Sequence, residues 1–157
     1  MRSVIVFFLL ITINTVYSQD SKNLNDINFE KGDTLDLPEF NFSYGGGYVS
    51  DPTFRDSIEV IAQFLDRHSK LRVEIINYTE SRGSDEANLI LSARRAKAVV
   101  DYLVFLGIDK QRVTSLGLGE SFLIYSNEEI ILEDDKSLKE KMHRMNRRTE
   151  MVILSLD

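Results

Sequence analysis

Glu80 and Arg95 are the side chains whose type and spacing point most directly to chemistry. They stand in YTESRGSDEANLILSARRA, residues 78–96, where a loop bearing acids and a glycine runs into a helical stretch. Arg95 falls about three turns into that helix, and a loop folded back over the first turns brings the two together. An acid and a guanidinium side by side suit a zwitterion. The carboxylate takes an ammonium group, and the arginine fork takes a carboxylate in two parallel bonds. Asn88, near the helix start, is equipped to donate or accept between them. Thr79 either caps the loop or touches the ligand. The plainer alternative pairs Glu80 and Arg95 with each other or with solvent, as is usual for exposed charges. Arg94 lies about 100° round the helix from Arg95 and is expected at the surface.

Other chemistries find little footing. The two histidines, His68 and His143, each stand alone and are expected to be solvated, with no metal-type pairing at helical spacing. The chain has no cysteine, which removes disulfides, a thiol nucleophile, a thiolate zinc site and a lipid anchor on an N-terminal cysteine. Neither a serine elbow, a phosphate loop nor a dinucleotide fingerprint is present. The Gly117-Leu118-Gly119-Glu120 run lacks the helix N-terminus that holds a phosphate and reads as a strand-end turn. No catalytic residue, cofactor or metal is expected, and the protein is read as a non-enzyme.

The composition is that of a soluble globular chain, 43% hydrophobic and 28% charged over 157 residues, enough for one core. A formal net charge of -6 disfavours nucleic acid. MRSVIVFFLLITINTVYSQ opens with Arg2, continues with an apolar run at 4–13, and has small residues Val16 and Ser18 suited to cleavage before Gln19. Residues 1–18 are therefore expected to be a signal peptide, with no membrane span in the mature chain. Residues 19–36 read as a polar, flexible leader and 37–157 as the domain.

The elements that must position the charges follow from periodicity. Leu37–Tyr44 alternates Phe40 and Phe42 with polar residues as a strand does, and Gly45–Gly47 ends it. Ser50-Asp51-Pro52 starts a helix whose Phe54, Ile58, Ile61 and Leu65 share a face. Leu71–Tyr78 is a strand. Asp85–Leu106 is a long helix with the stripe Ala96, Val99, Leu103 and Leu106, stopped by Gly107. Arg112–Leu118 is a strand, 136–145 a third helix, and Thr149–Leu156 the last strand. Glu128–Asp135 reads as an exposed acidic insert. The class is α/β, in βαβαβαβ order, with helices on a mixed four-stranded sheet.

The segment YTESRGSDEANLILSARRAKAVVDYLVFLGI resembles the signature of the OmpA-like, peptidoglycan-binding domain. The likeness rests on Thr79, Gly83, Asn88, Leu91-Ser92, Arg95-Ala96, Tyr102-Leu103 and Gly107. It continues in Arg112-Val113, Gly117-Leu118-Gly119-Glu120 and Asn146-Arg147-Arg148, and covers about residues 37–156. The resemblance implies non-covalent binding of the diaminopimelate residue in the wall's stem peptide, whose free end is an ammonium and a carboxylate. In the family the acid after the threonine and the arginine before the alanine make that contact, and these map onto Glu80 and Arg95. Asn146 and Arg147 then line the pocket edge, or form a solvated or salt-bridged pair facing the acidic run at 128–135. Two departures stand out: the family acid is normally aspartate, and the glycine usual two residues before the threonine is Asn77. The expected partner is peptidoglycan, with an envelope protein as a second candidate, and the expected place is the periplasm, at the wall or outer membrane. The alternative is a degenerate domain, a protein–protein scaffold without wall binding. A stator-like subunit anchored by its N-terminal helix needs an acid in the span, and residues 3–18 contain none.

Overall fold

The computed structural model describes residues 22–26, 28–38, 40, 42 and 52–157. The expected signal peptide, Gly45–Gly47 and Asp51 lie outside them.

The order is β1 (Thr34–Asp36), α1 (Pro52–Arg67), β2 (Arg72–Tyr78), α2 (Asp85–Phe105), β3 (Val113–Gly119), α3 (Asn127–Leu132), α4 (Lys136–Asn146) and β4 (Thr149–Ser155), with a single 3-10 turn at Lys110–Arg112. The four strands form one mixed sheet in the order β1-β4-β2-β3. β2 runs parallel to β3 and antiparallel to β4, and β1 is antiparallel to β4. Helix crossovers make the parallel pair, as the alternation of strand and helix requires.

The helices form for the expected reasons. α1 buries Phe54, Ile58, Ile61 and Leu65, together with Ala62 and Phe64. Its C-terminal end is met from a distance: the Arg112 guanidinium donates to Leu65 O at 2.8 Å within the last turn, and to His68 O at 2.9 Å and Leu71 O at 3.0 Å in the turn that follows. α2 starts at Ser84, whose hydroxyl accepts the Ala87 N–H, and carries Asp85 and Glu86 in its first turn. Ala96, Val99 and Leu103 are buried and Leu106 is partly so. Gly107 ends the helix at φ +102°, a conformation that costs a side chain but not glycine.

β3 fits under α2 because it lacks bulk. A Cβ on Gly117 would stand 2.1 Å from Ala93 N and 2.5 Å from Ala93 Cα. Helix and strand thus meet backbone to backbone, and Ser92 Oγ accepts the Gly119 N–H at 2.8 Å. The glycine run is a packing device at a strand end.

Three expectations change. The first described strand falls upstream of the expected Leu37–Tyr44, pairing Thr34↔Val152, Leu35↔Met151 and Asp36↔Glu150. Of the expected span, the described Leu37, Pro38, Phe40 and Phe42 are not strand, and Pro38 cannot donate to a ladder. Phe40 and Phe42 instead join an aromatic cluster with Phe54, with ring centroids 5.3 and 5.5 Å from it. The leader, expected to be flexible, packs on the domain over its described residues 22–26 and 28–36. Leu35 is fully buried, Phe29 stacks edge-on against Phe64 at 5.3 Å, and Lys22 pairs with Asp33 at 2.6 Å. That hydrogen bond, with one from the Glu30 N–H, holds the Asp33 carboxyl below its usual range. The acidic insert contains a helix, α3, closed by a Ser126–Glu129 capping box.

Candidate functional site

β2 delivers Thr79 and Glu80 at its C-terminal end, α2 delivers Arg95, and the turn from α4 into β4 delivers Arg147 and Arg148. The loop between β2 and α2 turns at Gly83, φ +126°, with the Asn88 amide packed beneath it.

Glu80 is 15% exposed and lies among two arginines and a histidine. Arg82 grips it with two bonds, Nε to Oε2 at 2.7 Å and Nη2 to Oε1 at 2.9 Å. Arg147 Nη1 donates to Oε1 at 3.0 Å. His143 Nδ1 stands 2.9 Å from Oε2, close enough for an ion pair but without an aligned hydrogen bond. Arg147 also donates to Glu140 at 3.0 Å. Burial alone would lower the Arg147 pKa, but its bonds to Glu140 and Glu80 outweigh this and raise it. The same bond to Arg147 lowers Glu140.

Arg95 is different. Its Nε is buried and has no hydrogen-bond partner among the described residues. Its guanidinium carbon lies 5.1 Å from the centre of the Phe42 ring. Burial lowers its pKa, the nearby Arg147 charge adds to the shift, and Glu80 opposes it. No hydrogen bond or ion pair joins Glu80 to Arg95 among the described residues.

Arg95 lines a cavity of about 430 Å3, with Phe42, Asn77, Arg144, Arg147 and Arg148 among the residues of its wall. Glu80 is not one of them. Four arginines and, among the described residues, no carboxylate line this space, so it favours an anionic group. Arg148 is held by Glu150 at 2.7 Å and Phe122 O at 3.0 Å and lies 3.7 Å from the Tyr78 ring centre, leaving its buried Nη2 without a partner among the described residues.

The sequence-derived residues divide. Arg95 and Arg147 reach the cavity, and Glu80 stands behind Arg147. Thr79 is 2% exposed and its N–H donates to Gly119 O at 2.9 Å, while its hydroxyl has no partner among the described residues. Asn88 does not bridge Glu80 and Arg95: the close approach of Gly83 turns its amide to Glu120. Asn146 is structural, its Oδ1 accepting the Ile124 and Tyr125 N–H groups at 2.8 and 3.0 Å. Neither histidine is simply solvated, because His143 meets Glu80 and His68 packs on Phe64 at 4.6 Å. Sequence reading missed Asn77, Arg144 and Arg148 as cavity residues. The cationic run at 143–148 was the available signal.

With this geometry in hand, similarity to known proteins decides the family. A model of the OmpA family matches residues 41–133, more than half of the chain. The chain belongs to the OmpA family. Among curated OmpA-family relatives, it is 28% identical over 123 residues to "Peptidoglycan-associated lipoprotein" of Buchnera aphidicola, covering 69% of this chain and 68% of that one. It is 38% identical over 76 residues to "Peptidoglycan-binding protein ArfA" of Mycobacterium tuberculosis, covering 48% of this chain and 23% of that one. With "Probable lipoprotein YiaD" of Escherichia coli it shares 34% over 76 residues, covering 48% of this chain and 35% of that one. The chain thus spans well under half of the latter two relatives. Solved structures share the fold. The peptidoglycan-associated lipoprotein of Burkholderia pseudomallei superposes with a TM-score of 0.55 at 24% identity, covering 76% of this chain and 88% of that one. The periplasmic domain of Helicobacter pylori MotB gives 0.60 at 19%, covering 82% and 86%.

Proposed function

We propose that this OmpA-family domain binds peptidoglycan non-covalently through the diaminopimelate residue of the stem peptide, and that it tethers or organises the cell envelope without doing catalysis. The observation that carries the reading is Arg95: a partly buried guanidinium with an unspent Nε, at the wall of an arginine-lined cavity with no acid among its described residues. A buried donor without a partner is costly unless a ligand supplies one. Arg95 takes the carboxylate of the wall peptide, and Arg147 flanks it. The mature protein works in the periplasm, at the wall or outer membrane. The names of the relatives, peptidoglycan-associated and peptidoglycan-binding, agree with this reading.

The test is sedimentation of the purified protein with cell-wall sacculi. It should pellet with them, free diaminopimelate should release it, and Arg95→Ala should stay in the supernatant. A parent protein that also stays in the supernatant defeats the proposal. A second reading, a protein–protein scaffold, draws on the saturation of Glu80 by Arg82, Arg147 and His143. It calls for a stable protein complex from periplasmic extract and no wall binding.

A further inference from the structure

Glu80 has little left to offer an ammonium group. Arg82 occupies both of its oxygens, Arg147 shares one and His143 crowds the other. The cavity beside it holds a different acceptor. Asn77 sits on β2, is 2% exposed, and lines the same wall as Arg95. Its Nδ2 donates to Thr149 Oγ1 at 2.7 Å and to Arg148 O at 3.3 Å. A backbone carbonyl only accepts, so the amide nitrogen belongs on that side and the orientation of the group is determined. The other branch, Oδ1, is buried and has no partner among the described residues. Residues lining this cavity therefore carry two buried, unspent donors, Arg95 Nε and Arg148 Nη2, and one buried, unspent acceptor, Asn77 Oδ1, among the described residues.

That set complements an amino-acid end, with a carboxylate for the donors and an N–H for the acceptor. We propose that Asn77 is a specificity-determining residue of this site: its Oδ1, in place of the Glu80 carboxylate, accepts the hydrogen bond from the ammonium of the ligand. The inference rests on the peptidoglycan reading above and sharpens it. A neutral amide reads the presence of the N–H through hydrogen bonding, without the full charge pairing an acid would add.

The experiment uses two synthetic stem peptides, one ending in diaminopimelate and one ending in 2-aminopimelate, which keeps the distal carboxylate and lacks the distal ammonium. Both are titrated calorimetrically into the parent protein, Asn77→Ala and Asn77→Asp, with a thermal melt to verify each fold. The parent should prefer the diaminopimelate peptide by about tenfold, the scale of one hydrogen bond to a charged group. Asn77→Ala should erase that preference by weakening the diaminopimelate peptide, with the 2-aminopimelate peptide changed by less than about twofold. Asn77→Asp keeps an acceptor at the site and should retain or enlarge the preference. It carries the test if the alanine variant does not fold. An unchanged preference in Asn77→Ala, or equal weakening of both peptides, overturns the role of Asn77 alone. A parent that binds both peptides equally overturns it too. A parent that binds neither brings down the wall-binding reading and this inference with it.

Discussion

Glu80 and Arg95 carry opposite charges, one in the loop after β2 and the other midway along α2, and both are largely withdrawn from water. Yet Glu80 has two arginines and a histidine around it, while Arg95 has an unmet Nε and an aromatic ring beside it. Charge alone would have called them a matched pair. Hydrogen-bonding capacity separates them: one group is spent on the fold, the other is held in reserve. A charge whose bonds are already made contributes to stability, and a buried one with bonds to spare is where a ligand gains most. On the proposed reading, Glu80 serves chiefly structure and Arg95 serves binding.

The most damaging way to break it is to move the helix that carries Arg95. Gly117→Val places its Cβ inside the backbone of α2 at Ala93, where no flexible side chain can yield. Overpacking costs about 1–3 kcal/mol, occasionally more. Against rigid backbone the loss should lie at the top of that range, visible as a large fall in melting temperature. A melting temperature close to the parent's would show that α2 shifts freely, and that the position of Arg95 is not tied to β3.

Glu80→Ala comes next. It strips a common partner from Arg82, Arg147 and His143, and two of these are mostly buried. Leaving such groups unmet costs about 1–3 kcal/mol, measurable by urea unfolding. Arg95→Ala should do the reverse in the two assays. Removing a desolvated, unpaired donor should leave stability within about 1 kcal/mol of the parent, because the lost Phe42 contact and the relieved burial oppose one another. Affinity for a diaminopimelate muropeptide should drop about tenfold to a hundredfold. If Glu80→Ala spared stability while Arg95→Ala cost it, the two assignments would have to be exchanged.

Much of the frame was legible because it is local. Phe54, Ile58, Ile61 and Leu65 repeat at helical spacing, and Gly107 stops α2 where a positive φ is needed. β1 was not legible, because it is three residues long, buries Leu35 alone, and exists only through β4, whose pairing residues lie more than a hundred positions away. α3 did leave a signal, the Ser126–Glu129 box, inside a stretch whose acidity suggested an insert. At the site, Arg95 was visible from its place on the helix. What surrounds Glu80 was not, since His143 and Arg147 arrive from the far end of the chain. Asn77 drew notice only as a departure from glycine. Its unspent oxygen depends on Thr149 and Arg148, and strand pairing alone brings them to it.

The smallest expected effect is also the sharpest on the comparison. Arg82 is 58% exposed and holds Glu80 from the solvent side. An exposed ion pair is worth about 0.2–1 kcal/mol, so Arg82→Ala should barely move the unfolding midpoint. It does free oxygen lone pairs on Glu80 that the parent protein has committed. If Glu80 were the ammonium acceptor, releasing it should tighten binding of the diaminopimelate stem peptide. With the acceptor role at Asn77, affinity should stay within about twofold, because Arg147 and His143 still hold the carboxylate and the ammonium lands elsewhere. A clear gain in affinity for Arg82→Ala would return Glu80 to the binding side, and the division between spent and unspent charge would then be one that ligand binding rewrites.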